Sequence, residues 1–388
     1  MKTEGINNRN FNDYVYVMGF PYRLPNLILI SIALTLTLAG VLLDRTFQGA
    51  QYIWPWVVGT CLLCSALIYP LFLPQVKQIT MPLKIKRHLS NPWLWLVIAT
   101  LLNGTVLLLG FNHYGATLAF GTEVFPLRSS LPGTLALMMF FALLHSQRPI
   151  HIQHSFQIIG ALGLLFLNLF LIFQQPDLFI VPFILLLFFC AGHGIKGLLG
   201  RSLQLITILL TAAVVYSVIS RSYVLNRLVR GWINPTEHAE GSGFYLTQSF
   251  AAIQQGGWFG GDLSNYGQSI HLPAQLDLFA FPLAGFWLGK ISMMLIVAAI
   301  AAFIVILWQQ RRNLGGVPRY VITAFIGLFV YNHIFAIGAP LGLVPFIGSS
   351  YGVAFLSGSE FGFISFLMVC FAAVYQPKQN ILPLCQDS

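Results

Sequence analysis

Ten apolar stretches, each long enough to cross a membrane as a helix, divide this chain of 388 residues. A spanning helix needs about 20 predominantly apolar residues. Only 8% of the residues are charged, whereas a soluble domain carries roughly 25%. Because lipid cannot satisfy exposed backbone groups, the stretches are predicted to be helical. The predicted fold is therefore an all-α polytopic membrane protein with about ten transmembrane helices, centred near Leu34, Leu62, Ala99, Met138, Leu165, Leu186, Leu210, Leu295, Ile326 and Leu367.

The basic residues are unevenly distributed between the connecting segments. If the N-terminus is cytoplasmic, the inside segments hold fourteen of the 20 Lys and Arg residues, the outside loops hold five, and Lys290 lies within a span. An excess of positive charge on the cytoplasmic side is the usual topology signal of membrane proteins. We therefore interpret the net charge of +9 as a signal of orientation, with both termini cytoplasmic, and not as a nucleic-acid-binding surface.

One long polar loop, residues 220–278, separates spans seven and eight and is extracytoplasmic in this topology. A loop of this length is usually either functional or disordered. Because it carries aromatic residues and is not of low complexity, we expect it to fold. The whole chain, residues 1–388, is predicted to be a single membrane domain, and this loop is where chemistry is expected.

Two apolar segments are not explained by a straight spanning helix of ordinary length. The stretch for span eight, residues 279–308, is unusually long and is expected to tilt or to protrude. Residues 338–359 are apolar yet rich in Gly, Ser and Pro, which predicts re-entrant or broken backbone lining a cavity.

The loop contains a run of twenty residues, GSGFYLTQSFAAIQQGGWFG at 241–260, that follows a specific pattern. It matches G-x-G-Y-x-x-x-Q-S-x-x-A-I-x-x-G-G-x-x-G nearly throughout. Shorter segments are similar to further elements of the same set: FQQPDL at 173–178, SYVLNRLVRGWINP at 222–235, LVPFIG at 343–348 and SGS at 357–359. Together they resemble the motifs of the SEDS family (shape, elongation, division and sporulation), over most of the chain.

The resemblance implies a multi-pass glycosyltransferase of the bacterial inner membrane, of the RodA and FtsW kind. Such an enzyme polymerises lipid II, an undecaprenyl-pyrophosphate-linked disaccharide-peptide, into peptidoglycan strands during cell-wall synthesis. The resemblance also implies a single-pass class B penicillin-binding protein as partner, besides lipid II and membrane lipids. Nucleic acid is not expected as a partner.

The chain departs from the family where acidic residues are usual. LPAQLDLFAF at 272–281 corresponds to the family motif L-P-E-x-H-T-D-F-(I/S)-F, so Ala274 replaces a glutamate. Phe286 and Trp287 replace two further glutamates, and LRSSLPG at 127–133 lacks the glutamate of an early motif. The alternatives are therefore a catalytically degenerate scaffold or lipid II-binding protein of an envelope assembly complex, or a transferase or flippase for another lipid-linked glycan.

Asp277 is the candidate catalytic residue. In a gapless alignment it precedes Leu278, which occupies the position of the family's aspartate. Glycosyl transfer from a pyrophosphate-linked sugar needs a base that takes the proton of the acceptor hydroxyl, and a carboxylate at the mouth of a span suits that role. The alternative is that Asp277 caps the N-terminus of span eight.

Three arginines at the start of the loop, Arg221, Arg227 and Arg230, are candidate ligands of the substrate pyrophosphate. Arginine presents a planar fork of donors that matches phosphate oxygens. The resemblance favours Arg227 as the family's loop arginine. The alternative for all three is contact with lipid headgroups at the membrane interface.

Four further residues are candidate substrate contacts: Gln248, Ser249, Lys290 and Ser359. Gln248 and Ser249 lie in the strongest motif and either bind a sugar or satisfy the folded loop, and Ser359 belongs to the SGS element. Lys290 lies within span eight, where a charge is costly and is usually paired or functional. It is expected either to pair with Glu360 or to contact a lipid phosphate.

The histidines of the outside loops, His113, His238 and His271, have no metal-ligand spacing. Cys61 and Cys64 have the spacing of a redox or metal pair, but they lie in an apolar span without a partner histidine, which favours plain packing. No metal ligands are therefore predicted. If a divalent cation such as Mg²⁺ or Mn²⁺ takes part, we expect it at the substrate pyrophosphate.

Two structural roles are predicted as well. The glycines at 256, 257, 260 and 261 are expected to provide turns or close backbone approaches. His333, in span nine, is expected to be a hydrogen-bonded interior histidine and not a proton relay.

Overall fold

The computed structural model describes the following residues of the chain: 14–17, 20–47, 88–109, 111–113, 116–122, 125–128, 130–146, 155–174, 179–195, 197–220, 229–262, 276–346, 352–354, 356 and 365. Helices predominate within these ranges. Their bounds are α1 Leu24–Phe47, α2 Pro92–Leu109, α3 Ser130–Ser146, α4 Ser155–Gln174, α5 Ile180–Gly194, α6 Leu198–Ser220, α7 Phe244–Gly256, α8 Leu276–Gln310 and α9 Gly316–Gly338, with a 3-10 turn at Arg311–Asn313.

In the part of the chain that the structure describes, four helices, α4, α6, α8 and α9, are long and apolar enough to cross a bilayer. Four more, α1, α2, α3 and α5, contain shorter apolar segments of 10–17 residues. These helices contain all the predicted span centres except Leu62 and Leu367, which lie outside the described residues. The prediction of a helical multi-pass membrane protein is confirmed.

Short strands, which the all-α prediction did not include, form in the segment before α1 and in the connection between α2 and α3. β1 (Tyr14–Val17) pairs with β2 (Phe20–Arg23), and β3 (Phe111–His113), β4 (Ala116–Thr122) and β5 (Phe125–Arg128) form an antiparallel sheet. These segments are too short to span a membrane, where a strand needs about 9–11 residues. The strands are therefore local additions to a helical fold.

Aromatic side chains make up much of the core between the helices. The rings of Phe303 on α8 and Phe329 on α9 stack with centroids 4.9 Å apart. Phe179, at a position where the family usually has glycine, is buried before α5 and its ring lies 5.1 Å from that of Tyr331. The Tyr331 hydroxyl also donates a hydrogen bond of 2.5 Å to the backbone carbonyl of Phe179, so this bond and the ring contact together tie the start of α5 to α9.

A buried polar cluster joins α2 to α4. The Nδ2 group of Asn103 donates to Oδ1 of Asn168 at 2.9 Å, and Nδ2 of Asn168 donates to Oγ1 of Thr100 at 2.8 Å. A Cβ at Gly133 of α3 would overlap the side-chain amide of Asn103. Hydrogen bonds and small residues of this kind bring membrane helices together, because lipid supplies no hydrophobic drive for their association.

The helix for span eight is broken, a feature that the prediction of an unusually long, tilted or protruding helix did not include. Gly289 has φ 82° and ψ 176° inside α8, so the helix divides into two parts at this residue. The Ser292 hydroxyl donates to the carbonyl of Gly289 at 2.7 Å and steadies the start of the second part. The break explains how 35 residues are accommodated without one continuous helix.

Candidate functional site

Residues 229–262 of the long loop are folded, as predicted from the sequence. A short helical segment and a series of turns lead into α7. The carbonyl of His238 accepts hydrogen bonds from the backbone N–H groups of Gly241 at 3.0 Å and Gly243 at 2.9 Å. Gly243 is required because a Cβ there would overlap the backbone of Pro235. The GSG of the main motif therefore closes the turn before α7.

The glycine-rich turn after α7 lies against the break in α8. The backbone N–H of Gly261 donates to the carbonyl of Phe286 at 2.7 Å, and the N–H of Lys290 donates to the carbonyl of Gly257 at 3.0 Å. The first bond satisfies a carbonyl before the break, and the second satisfies an N–H after it. A break in a membrane helix is tolerated only where the freed backbone groups find partners. The loop supplies those partners.

The approach of the two backbones is so close that it excludes side chains. A Cβ added to any of three glycines would overlap a backbone oxygen of the opposite segment: Gly256 with Gly285, Gly260 with Trp287, and Gly289 with Trp258. Gly260 and Gly289 also have positive φ angles of 109° and 82°. The predicted role of the loop glycines as turn and close-approach residues is therefore confirmed.

Aromatic contacts fix α7 between the first part of α8 and the segment that follows α9. The ring of Tyr245 lies 5.4 Å from that of Phe279 and 6.1 Å from that of Phe346. The indole N–H of Trp232 donates to the carbonyl of Gly342 at 2.8 Å. The loop is consequently attached at two places and forms one surface with the ends of α8 and α9.

Lys290 is the charged residue at the centre of this assembly. Its Nζ lies 5.8 Å from the centroid of the Trp258 ring, within the range of a cation–π contact. Trp258 is 61% exposed, so the ring beside the lysine is accessible, and the next residue, Phe259, is 86% exposed. Glu360, the predicted alternative partner, lies outside the described residues.

Three predicted site residues lie in the described part of the loop. Gln248 and Ser249 are on α7, and Arg230 is exposed in the short helical segment before it. Ser249 is fully buried, and its hydroxyl donates to the carbonyl of Tyr245 at 2.7 Å. This arrangement favours the structural interpretation of Ser249, while a sugar-binding role for Gln248 stays a prediction.

Of the four remaining predicted site residues, the structure describes only the backbone of one. Arg221, Arg227 and Ser359 lie outside the described residues. The backbone of Asp277 is described, and because α8 begins at Leu276, Asp277 lies in the first turn of the helix and not at the cap position. An acidic residue in the first turn is still favoured by the helix dipole.

Two neighbouring residues of α9 hold the segment that returns after it. Nδ2 of Asn332 donates to the carbonyl of Gly352 at 2.7 Å, and Nε2 of His333 accepts from the N–H of Ala354 at 3.1 Å. Nδ1 of His333 must then carry the proton, which it donates to the carbonyl of Phe329 at 2.7 Å. The prediction of a hydrogen-bonded interior histidine is confirmed, and the described residues between Gly338 and Ser359 are not helical, as expected.

The break at Gly289 and its contact with the loop were missed from the sequence. The available signal was the order Gly289-Lys290 within an apolar stretch, since neither residue suits the middle of a membrane helix.

The structure also shows where two of the departures from the family lie. Phe286 is buried against Gly261, and Trp287 lies against Gly260, so apolar side chains occupy the positions of two family glutamates at the contact between loop and helix.

Comparison with known proteins gives consistent matches over most of the chain. A family model described as "Cell cycle protein", which covers FtsW, RodA and SpoVE, matches residues 28–375. The probable peptidoglycan glycosyltransferase FtsW of Aliivibrio salmonicida (strain LFI1238) is 26% identical over 74% of this chain and 72% of its own length. Stage V sporulation protein E of Bacillus subtilis (strain 168) is 29% identical over 65% of this chain and 69% of its own.

Two solved structures share the fold at 16% sequence identity. A chain of the structure "Structural coordination of polymerization and crosslinking by a peptidoglycan synthase complex" gives a TM-score of 0.64, covering 90% of this chain and 98% of that one. Rod shape determining protein RodA of Thermus thermophilus gives a TM-score of 0.56, covering 89% of this chain and 94% of that one. The described fold and the extent of the family match agree, and the chain belongs to the cell cycle protein family of FtsW, RodA and SpoVE, the SEDS family that its motifs resemble.

Proposed function

We propose that the protein is a membrane glycosyltransferase that polymerises lipid II into peptidoglycan strands. The observation that carries the proposal is the family match over residues 28–375, because members that match this chain over about three quarters of its length are named peptidoglycan glycosyltransferases. The folded loop on the broken helix supports it, since it builds a rigid polar surface at the end of a membrane bundle.

The proposed reaction joins an acceptor hydroxyl to the anomeric carbon of a donor sugar. The bond between that carbon and the pyrophosphate breaks, the pyrophosphate leaves on its lipid, and the hydroxyl proton passes to a base. Asp277 is the proposed base, because it lies in the first turn of α8 beside the folded loop. Positioning and charge stabilisation are the remaining contributions that the protein must make.

Cationic side chains would stabilise the departing pyrophosphate. Lys290 is supported for this role by its place at the helix break beside the exposed ring of Trp258. Arg227 and Arg221 are proposed from the family resemblance and the sequence, and Arg230 from its exposure in the loop. Gln248 and Ser359 are proposed as sugar contacts.

The proposed location is the bacterial inner membrane, with both termini in the cytoplasm and the long loop outside. The distribution of Lys and Arg supports this orientation. A single-pass class B penicillin-binding protein is the proposed partner. Similarity to a chain from a complex that coordinates polymerization and crosslinking supports a crosslinking partner.

Among the residues that the structure describes, no three His, Cys, Asp or Glu side chains lie close enough together to hold a metal ion. If Mg²⁺ or Mn²⁺ takes part, we propose that the substrate pyrophosphate supplies most of its ligands.

The test is polymerisation of labelled lipid II by the purified protein, alone and with a class B partner. Wild type is expected to form polymer, and Asp277→Asn is expected to lower the rate by about 10² or more, the usual contribution of a general base. Glu240→Gln removes an exposed loop carboxylate and is the matched control, with an unchanged rate. Polymer from Asp277→Asn at the wild-type rate would remove Asp277 from the mechanism.

A scaffold or lipid II-binding protein is the second candidate. The observation that favours it is the buried, apolar character of Phe286 where the family has an acidic residue. If wild type forms no polymer while an ordinary family member is active in the same assay, but lipid II still binds, this second function replaces the first.

A further inference from the structure

Three arginines lie together in the turn between α8 and α9, at the end of α8 opposite the long loop. Arg311 and Arg312 form part of the 3-10 turn after α8, and Arg319 lies in the first turn of α9. Burial, followed by the charges of Arg319 and Arg312, lowers the pKa of the Arg311 guanidinium, so the three cations are within electrostatic reach of each other. This turn and the first turn of α9 therefore carry a concentrated positive charge.

No described carboxylate lies near enough to neutralise this charge. The acidic side chains that the structure describes, those of Glu237, Glu240 and Asp262, belong to the long loop at the other end of α8. Like charges held together without a counter-charge repel each other. A bound anion would relieve that repulsion.

The guanidinium of Arg311 is held in one orientation and keeps a spare donor. Its Cζ stacks 3.3 Å from the centroid of the Trp308 ring, and Nη1 donates to Oγ1 of Thr323 at 3.4 Å. Its Nε is buried and has no hydrogen-bond partner among the described residues. A guanidinium has five N–H donors, and the described hydrogen bond uses one of them, so donors remain for an acceptor at this turn.

The N-terminus of α9 is open beside the arginines. Gly315 occupies the cap position and has no side chain with which to cap the helix. A Cβ added to Gly315 or Gly316 would meet no described atom within 4 Å, so the described residues leave open space at the first turn. The positive end of the helix dipole therefore adds to the attraction that the guanidinium groups exert on an anion.

We propose that this turn binds the phosphate headgroup of an anionic phospholipid through Arg311, Arg312 and Arg319. The source of the phosphate is inferred to be lipid because the exposed rings of Trp308 and Tyr320 adjoin the cluster at the ends of two spans, where aromatic residues mark the membrane interface. The topology proposed above places the site in the cytoplasmic leaflet, whose anionic lipids attract basic clusters. The site does not depend on glycosyl transfer.

The test measures lipid binding to the full-length protein in a neutral detergent by native mass spectrometry. Phosphatidylglycerol is compared with phosphatidylcholine and with soluble glycerol 1-phosphate. Arg312→Gln and Arg319→Gln change exposed side chains, and Arg201→Gln, an exposed arginine at the start of α6, is the matched control. Each of the first two substitutions is expected to weaken phosphatidylglycerol binding about fivefold, the equivalent of ~1 kcal/mol per arginine, and the control is expected to have no effect.

The outcomes separate a specific site from a general charge effect. Selective loss at positions 312 and 319, with weak binding of phosphatidylcholine, supports the proposal. Equal loss with Arg201→Gln would show that any arginine at this end contributes, and would overturn it. Glycerol 1-phosphate that competes at the same concentration as phosphatidylglycerol would also overturn it, because the site would then serve a soluble phosphate.

Discussion

Irregular backbone occurs at two places at the loop end of the helix bundle, and the two are stabilised by different means. At the break in α8, backbone groups of Phe286 and Lys290 bond to the backbone of the glycine-rich turn. In the segment after α9, Gly352 and Ala354 bond to the side chains of Asn332 and His333. One region thus depends on residues that lack a side chain, and the other depends on two particular side chains.

The difference shows two ways to satisfy irregular backbone at membrane depth. Both obey the requirement that freed N–H and C=O groups find partners inside the protein. A backbone-to-backbone contact demands that any Cβ be absent, whereas a side-chain contact demands donors and acceptors at fixed positions. The two regions should therefore respond to different substitutions.

The largest effect is expected from Gly289→Ala. The new Cβ would overlap the carbonyl of Trp258 while residue 289 keeps a φ of 82°, so strain and overlap combine to a loss of about 3 to 5 kcal/mol. The measurement is thermal unfolding of the purified protein, with Gly163→Ala as control, because Gly163 is exposed on α4 and a Cβ there meets nothing. Equal stability of the two variants would contradict the close contact between loop and helix.

Substitutions at two adjacent glycines distinguish the cost of steric overlap from the cost of backbone strain. Gly256→Ala places a Cβ against the carbonyl of Gly285 in a helical conformation, and a cost of about 1 to 3 kcal/mol is expected from overpacking. Gly257→Ala leaves the space open but forces alanine to a φ of 55° and a ψ of −144°, at a cost of about 1 to 3 kcal/mol. Thermal unfolding of both variants shows which substitution lowers the stability more. A smaller loss at position 256 would mean that backbone conformation, and not close approach, selects these glycines.

In the second region, Asn332→Ala is expected to lower the free energy of unfolding by about 1 to 3 kcal/mol, because the carbonyl of Gly352 loses its donor. Ile334→Ala, at a half-exposed position on the same helix, is the control and should cost less. The two regions share no described partner, so Asn332→Ala combined with Gly289→Ala should be additive within about 0.5 kcal/mol. Clear non-additivity would show that the regions act as one unit.

The smallest effect is expected from Ser249→Ala. The Ser249 hydroxyl bonds only within its own helix, to Tyr245, in the bonds that the structure resolves, so the change in stability is expected to stay within about 0.5 kcal/mol. Lipid II polymerisation by this variant should match wild type. A strong loss of polymerisation at unchanged thermal stability would instead indicate that Ser249 contacts the substrate, as its place in the main motif first suggested.

The helical membrane fold could be predicted because the constraint that produces it is local. Each spanning stretch must satisfy its backbone within itself, so length and apolar character are enough to find it, as for α4 and α9. The role of the loop glycines could also be predicted from GGWFGG at 256–261, since glycines in such numbers are typical of turns and close backbone approaches. His333 followed from the rule that interior polar groups are hydrogen-bonded.

The tertiary structure alone decided where these local features meet. That Gly256 and Gly260 lie against α8, and that Phe286 faces Gly261, depends on contacts between residues about 25 to 30 positions apart, which no periodicity encodes. Gly289 and Lys290 mark a weak position in the apolar stretch, but the loop residues that supply partners for the freed backbone groups are found only in the tertiary structure. The sequence by itself determined the spans and their orientation signal, and packing between distant segments decided the shape of the site.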